Sequence, residues 1–129
     1  SIVRGDDGVT VMKYGTIIDA AGVTRHLEAH EFALDTTGSW ESPRSGATYP
    51  SGWTIHVPDA ALTMHVQPLV EDQELDTRLS TGVIYWEGAV SVSGQGKRTG
   101  HGYVELTGYA RSPVTLPTAL DRGSLGDTC

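Results

Sequence analysis

Two segments of similar sequence constrain most strongly what this chain can fold into: residues 84–88 and 102–109. Each has the composition of a β-strand, and each places a tyrosine two residues before a glutamate. Because side chains alternate across a strand, Tyr85 shares a face with Glu87, and Tyr103 shares a face with Glu105. The Gly-rich residues 93–98 between them are typical of a hairpin turn, so we predict two antiparallel strands.

The other face of both strands is apolar and carries Ile84, Trp86, Val90, Val92, Val104 and Leu106. If these side chains enter the core together, alternation places Glu87 and Glu105 on the opposite face with Tyr85, Tyr103 and Tyr109. Two carboxylates held side by side away from water do not both ionise easily, so one becomes a proton donor and the other a base. The alternative is that both glutamates are structural or meet solvent.

The composition favours one all-β domain and excludes several kinds of partner. Within 129 residues, 16 glycines and 6 prolines favour many turns over a helical bundle. A net charge of −7 argues against nucleic acid and against an anionic membrane surface. No membrane span or signal peptide is visible, so a cytoplasmic and a secreted location both stay open. A single cysteine at the last position, Cys129, excludes an internal disulfide framework.

About seven strand-like segments alternate with turn residues: 9–13, 15–19, 23–34, 53–57, 62–67, 82–93 and 99–110. This number suits an antiparallel barrel or a sandwich. Residues 71–79 hold at most a turn of helix. We predict a single domain over residues 1–110. Residues 111–129, which are rich in Pro, Gly and small polar residues, are expected to form a loosely structured extension.

A hairpin is predicted to turn at Pro58, with Val57 opposite Leu62, because this register places apolar residues opposite apolar ones. The second face of the hairpin is then polar and carries Thr54, His56, Thr63, His65 and Gln67. That face either meets water or lines a wet ligand cavity. His56 and His65 could act as bases or, with Glu74, as metal ligands, but no His-x-His spacing or cysteine supports a metal, and none is predicted. The alternative is hydrogen bonding to Thr and Gln.

Several blocks of the chain resemble a known family in sequence and in order. The blocks are residues 40–53, 67–68, 72–75, 85–90 and 102–109. Together they resemble the lipocalin-like C-terminal domain of the family that contains carotenoid 1,2-hydratase (hydroxyneurosporene synthase), AttH and predicted secreted hydrolases. The resemblance implies an antiparallel calycin-type barrel of about seven or eight strands that handles apolar, isoprenoid- or polyketide-like molecules. Activities of relatives include hydration of carbon–carbon double bonds and, in fungi, pericyclic cyclisation.

The chain departs from the family pattern in its domain count. Members usually carry two such barrels, whereas this sequence matches only the second. If the family's site lies between the barrels, a homodimer could rebuild that arrangement.

We therefore expect binding of an apolar small molecule, with acid/base conversion of a hydratase or cyclase kind as one version of this function. In that version Glu87 or Glu105 donates a proton, and Tyr85 and Tyr103 orient the substrate or activate water. Ligand contacts are expected from Trp40, Tyr49, His56, His65, Gln67 and Tyr109. No cofactor is expected. A non-catalytic carrier and a domain that docks against a second barrel are the alternatives.

Overall fold

A computed structural model describes residues 1–94 and 99–110 of the chain, and this part is built from β-strands. The strands are β1 (Ile2–Arg4), β2 (Thr10–Lys13), β3 (Gly15–Ile18), β4 (Thr24–Leu27), β5 (Ala33–Thr36), β6 (Ser39–Glu41), β7 (Thr48–Pro50), β8 (Trp53–Val57), β9 (Leu62–Pro68), β10 (Glu74–Asp76), β11 (Ile84–Gly94) and β12 (Thr99–Thr107). Two short 3-10 helices occur at Ala29–Glu31 and Pro58–Ala60, and the described residues contain no α-helix.

Six strands form one antiparallel sheet that curls strongly into half a barrel, which confirms the expected lipocalin-like fold. The order across the sheet is β5, β8, β9, β11 and β12. Strand β11 is long enough to have two neighbours on one edge, β10 beside its first residues and β9 beside its last. The other strands form three small antiparallel pairs: β1 with β2, β3 with β4, and β6 with β7.

Alternation along β11 separates the inside of the half-barrel from the outside. Ile84, Trp86, Gly88 and Val90 are buried, whereas the residues that alternate with them are only partly covered. The main core joins Trp86 and Val90 to Trp53 and to Tyr49 from β7. Trp53 and Trp86 meet at a ring distance of 6.4 Å. Burial of these large aromatic surfaces is the main source of stability in such a core.

A glutamine side chain fills the gap on the edge of β11 between β10 and β9. The amide oxygen of Gln73 accepts the Ala89 backbone N–H at 3.0 Å, and its amide nitrogen donates to the Val70 and Ala89 carbonyls. Gly88 makes room for it, because a Cβ at this position would lie 2.0 Å from the Gln73 side chain. A glycine is therefore required at position 88, because the Gln73 side chain approaches the backbone closely there.

The sequence-based prediction was correct for the two hairpins with clear alternation. Val57 pairs with Leu62, and β11 pairs with β12. A single strand over residues 23–34 was wrong, because a 3-10 turn at Ala29–Glu31 divides this stretch into β4 and β5. The predicted turn residues 95–98 and the predicted extension 111–129 lie outside the described residues. No helix in the part of the chain that the structure describes is long and apolar enough to cross a membrane.

We predict that Gly88→Ala lowers the free energy of unfolding by about 1–3 kcal/mol, because the new methyl group displaces Gln73 and leaves the Ala89 amide without its acceptor. Urea denaturation followed by circular dichroism measures this change. Gly94→Ala is the matched control on the same strand, since among the described residues a Cβ there meets the Thr63 carbonyl alone, at 3.7 Å. Equal effects of the two substitutions would contradict the role given to Gln73.

Candidate functional site

An apolar groove of about 290 Å³ lies where the start of β9, the end of β11 and the start of β12 meet. Leu62, Met64 and Val92 form its apolar part, and Gly94 and Gly100 keep one side open. The remaining lining residues are Ala61, Thr63 and Thr99, so no described lining residue is charged. Such a surface can hold an apolar molecule by burying its hydrocarbon, but it offers no acid or base to a reacting bond.

The predicted catalytic residues come together on the outer face of the sheet. Glu87 lies directly opposite Glu105 in the β11–β12 register, and the Tyr103 hydroxyl donates a hydrogen bond to Glu87 at 2.6 Å. Tyr85 is half-buried opposite Thr107, and Tyr103 is 64% exposed. Alternation therefore gathers these four side chains, as expected, on the face opposite to Trp86 and the core.

The hydrogen bond to Glu87 raises the pKa of Tyr103 to about 12, with smaller contributions from loss of water and from the charges of Glu87 and Glu105. A phenol with a raised pKa keeps its proton at neutral pH. Tyr103 can therefore donate a hydrogen bond to Glu87 or to a ligand, but it cannot serve as a base.

The polar face of the β8–β9 hairpin is also on the outside. His56 is paired with the Thr63 hydroxyl at 2.8 Å and His65 with the Thr54 hydroxyl at 3.3 Å, so the geometry matches the hydrogen-bonded alternative for both histidines. Gln67 is exposed on the same strand as His65. Within residues 1–94 and 99–110, no group of three or more His, Cys, Asp or Glu is arranged to hold a metal ion.

Three predicted ligand-contact residues form an aromatic cluster beside the core. Trp40 stacks on Tyr49 at a ring distance of 6.0 Å, and Tyr109 lies against Tyr49 at 5.7 Å. The position of Tyr109 corrects the prediction that it shares a face with Tyr103. Gly108 has a φ of +85°, which ends β12 at Thr107 and turns the chain, so simple alternation does not extend to Tyr109.

The most enclosed carboxylate is Glu74 at the start of β10, which sequence reasoning considered only as a third metal ligand. The hydroxyls of Ser42 and Tyr49 donate to it at 2.7 and 2.9 Å, and Ser45 donates at 2.5 Å. The Arg44 guanidinium lies 3.7 Å away, and the Glu74 side chain is only 2% exposed. Every donor comes from the β6–β7 hairpin, so one carboxylate joins this hairpin to the edge of the main sheet.

Burial by itself raises the pKa of Glu74, but hydrogen bonds from Ser45, Ser42 and Tyr49, together with the charge of Arg44, outweigh it and leave the pKa below its usual value. Burial and the bond to Glu74 raise the pKa of Tyr49. Glu74 is thus a stable anion with its lone pairs occupied, and its chemistry is that of a structural anchor.

A sequence signal for this cluster exists. Residues 42–49 place four hydroxyl side chains and an arginine in one short segment that has no carboxylate of its own, and three of these hydroxyls bind Glu74. The partner is 25 to 32 positions further along the chain, at Glu74. Such a separation cannot be inferred from spacing alone.

The curled antiparallel sheet, its covering hairpins and the apolar groove define a lipocalin-like domain. The chain belongs to the AttH-like family, whose pattern matches residues 2–109. It is also similar to a crystal structure at 2.00 Å resolution of a protein from Nitrosomonas europaea assigned to AttH. The two share 37% sequence identity with a TM-score of 0.78 over 85% of this chain. This chain covers 33% of that protein, about a third of its length. No match to a curated protein was found.

We predict that Glu74→Gln destabilises the domain by about 1–3 kcal/mol at neutral pH, because it removes a buried, charge-assisted network. Since the folded pKa of Glu74 is lowered, its contribution is present above the pKa of the unfolded carboxyl and is lost as pH falls through the folded value. Urea midpoints measured from neutral to acidic pH should therefore fall less steeply in the variant.

Asp72→Asn is the control for Glu74→Gln, because Asp72 binds Arg44 at 2.6 Å but is 42% exposed. We expect a loss of no more than about 1 kcal/mol from this exposed pair. A neutral-pH loss as large as that of Glu74→Gln would show that the Arg44 charge, and not the hydroxyl network, stabilises the hairpin.

We predict that Glu87→Gln lowers the pKa of Tyr103 from about 12 toward the ordinary phenol value, because the hydrogen bond to Glu87 is its main cause. Ultraviolet titration of the phenolate, as a difference against Tyr103→Phe, isolates this residue from the other tyrosines. Glu105→Gln is the matched control on the same face and should lower the pKa less. A pKa unaffected by Glu87→Gln would contradict the observed pairing.

Proposed function

We propose that this domain binds an apolar small molecule in the groove formed by β9, β11 and β12. The observation that carries the proposal is the lining itself: Leu62, Met64 and Val92 face an open volume of about 290 Å³ with no charged neighbour among the described lining residues. Burial of hydrocarbon there is favourable by about 25 cal/mol per Å² of apolar surface. The volume is near the lower end for small-molecule sites, which suits one end of a long, narrow ligand.

The class of ligand that we propose is isoprenoid- or polyketide-like. Such molecules are long, mostly hydrocarbon and weakly polar, so they need few hydrogen bonds from a binding site. The groove fits this description, because Thr63 and Thr99 are the only polar residues among its described lining. The resemblance to the carotenoid hydratase family points to the same chemistry. Membership of the AttH-like family supports a lipocalin-like domain without naming a ligand.

Of the two versions of this function, binding without conversion has the better support. Conversion by acid and base needs a carboxylate within hydrogen-bond reach of the ligand. Glu87 and Glu105 lie on the outer face, opposite to the face of Met64 and Val92. A catalytic role for Glu87, Glu105, Tyr85 and Tyr103 is therefore a prediction that applies only if another molecule covers the outer face.

Docking against a second barrel is the other candidate function. The observation that favours it is apolar surface left exposed near the start of the chain: Val9 is 61% exposed, Val11 72% and Ile18 66%. Exposed apolar patches of this kind mark interaction surfaces. The similar Nitrosomonas protein is about three times as long as the matched region, which leaves room for a second domain there.

Ligand binding can be tested with a polarity-sensitive naphthalene dye, displaced by linear terpenoid alcohols and by fatty acids. We expect saturable dye binding and competition by the terpenoids. Met64→Glu should weaken binding at least about tenfold, because the ligand would bury an unpaired carboxylate in the groove. His65→Glu is the matched control, since His65 is the next residue on β9 but is exposed on the outer face.

The affinity of the His65→Glu variant should equal that of the unmodified protein. The proposal fails if no ligand gives saturable binding, or if both substitutions weaken it equally while circular dichroism shows a folded protein. The second result would place binding elsewhere on the surface, such as the exposed apolar residues near the start of the chain.

A further inference from the structure

Among the residues that the structure describes, strand β12 is a long edge strand of the main sheet. It spans Thr99–Thr107 and, among the strands that the structure describes, pairs only with β11. Its register with β11 is continuous over nine residue pairs, so no bulge twists it away from a partner. It contains no proline or lysine. An exposed strand of this length and regularity is a template for pairing with another strand.

The backbone groups that face outward from β12 can be identified from its neighbour. The Glu87 and Ala89 amides of β11 donate to Gln73, and the Ala89 carbonyl accepts from Leu69, all on the side away from β12. In an antiparallel ladder the amides of successive residues point to opposite sides. Residues 86, 88, 90 and 92 therefore pair with residues 106, 104, 102 and 100 of β12. The amides of the odd-numbered residues, from Thr99 to Thr107, point to the open edge.

The sequence of β12 is complementary to itself when two copies run antiparallel about a two-fold axis at Tyr103. On the outer face, His101 then lies opposite the partner's Glu105, and Thr99 opposite the partner's Thr107. On the inner face, Gly100 lies opposite the partner's Leu106, and Gly102 opposite the partner's Val104. Basic residues meet acidic ones, and glycines meet branched apolar side chains.

Two local features of the single chain agree with this register. Glu105 lies directly opposite Glu87 on β11, and like charges in that position repel each other, so a cationic or hydrogen-bonding partner on its free side is favourable. A Cβ at Gly100 would have no described atom within 4 Å, so this space suits the partner's Leu106. The glycine at position 102 is explained within a single chain, because a Cβ there would lie 3.1 Å from the Val90 side chain.

We propose that two copies of this chain dimerise by pairing β12 with β12 about Tyr103, which joins two half-barrel sheets into one continuous sheet. The inference rests on the docking function proposed above, and it names a second copy of the chain as the partner and β12 as the paired strand. It does not depend on ligand binding. All five outward-facing residues of each strand take part, which gives about ten backbone hydrogen bonds across the axis. Because Gly100 also lines the apolar groove, the partner's Leu106 would lie at the rim of that groove.

Sedimentation of the 129-residue chain tests the association. We expect a species of twice 13.7 kDa. Tyr103→Pro should raise the dimer dissociation constant about thirtyfold or more, because it removes one outward N–H from each copy and leaves the ladder to β11 intact. Tyr103→Ala is the matched control, since it removes the same side chain but keeps the N–H, and it should remain dimeric at the same concentration.

Disulfide trapping tests the register with an unaltered backbone. In a Cys129→Ser background, Tyr103→Cys should form a covalent dimer rapidly under mild oxidation, because residues opposite each other at the axis have Cα atoms about 5.5 Å apart. Thr107→Cys is the control, since the two copies of this residue would be about 27 Å apart. This test holds even if Tyr103→Pro fails to fold.

The results separate two kinds of failure. A monomer at all concentrations overturns both the β12 register and docking between copies. A dimer that resists Tyr103→Pro, or that is trapped by Thr107→Cys and not by Tyr103→Cys, overturns the β12 register alone and leaves docking through another surface. Neither result affects binding in the groove, which the dye titration measures separately.

Discussion

The structure depends on the alternation of side chains along β11, a long strand that is paired on both edges. Its even-numbered residues from Ile84 to Val90 are buried, and Trp86 and Val90 form the floor of the core. A slip of one residue would move every side chain of the strand to the opposite face of the sheet. Burial of these large residues therefore fixes the register of β11 against the strands on both of its edges. Gln73 hydrogen-bonds to β11 in the gap between β10 and β9, so that β11 can pair with both of these strands along the same edge.

The same alternation separates the acidic groups from the apolar groove. Once Trp86 and Val90 point inward, Glu87 must point outward, and β12 places Glu105 beside it. A carboxylate pair inside the half-barrel would compete with the aromatic core for the same face. The sheet therefore has an uncharged groove on its inner face and polar side chains on its outer face, which supports the proposed binding of a hydrophobic molecule.

Among the described residues, Glu74 is the one carboxylate that enters the interior, and it holds the β6–β7 hairpin against the sheet. Its negative charge is stabilised by three hydroxyl donors and by Arg44, so the charge can be buried without becoming a proton source. This hairpin supplies Tyr49 to the core. The other end of the sheet has no such closure among the described residues, because β12 presents open amides along its whole length.

The sequence by itself determined the elements in which local pattern and core burial agree. Strict alternation predicted the β8–β9 and β11–β12 pairs and which of their residues share a face through Thr107, because period-two patterns leave only one register that buries all apolar side chains. The resemblance to the carotenoid hydratase family added the barrel type. Tertiary structure alone decided that the Tyr–Glu face is outside, that Glu74 meets Ser42, and that Gly108 turns Tyr109 toward Tyr49. These outcomes depend on contacts between distant segments or on one backbone angle, and neither leaves a periodic trace in the sequence.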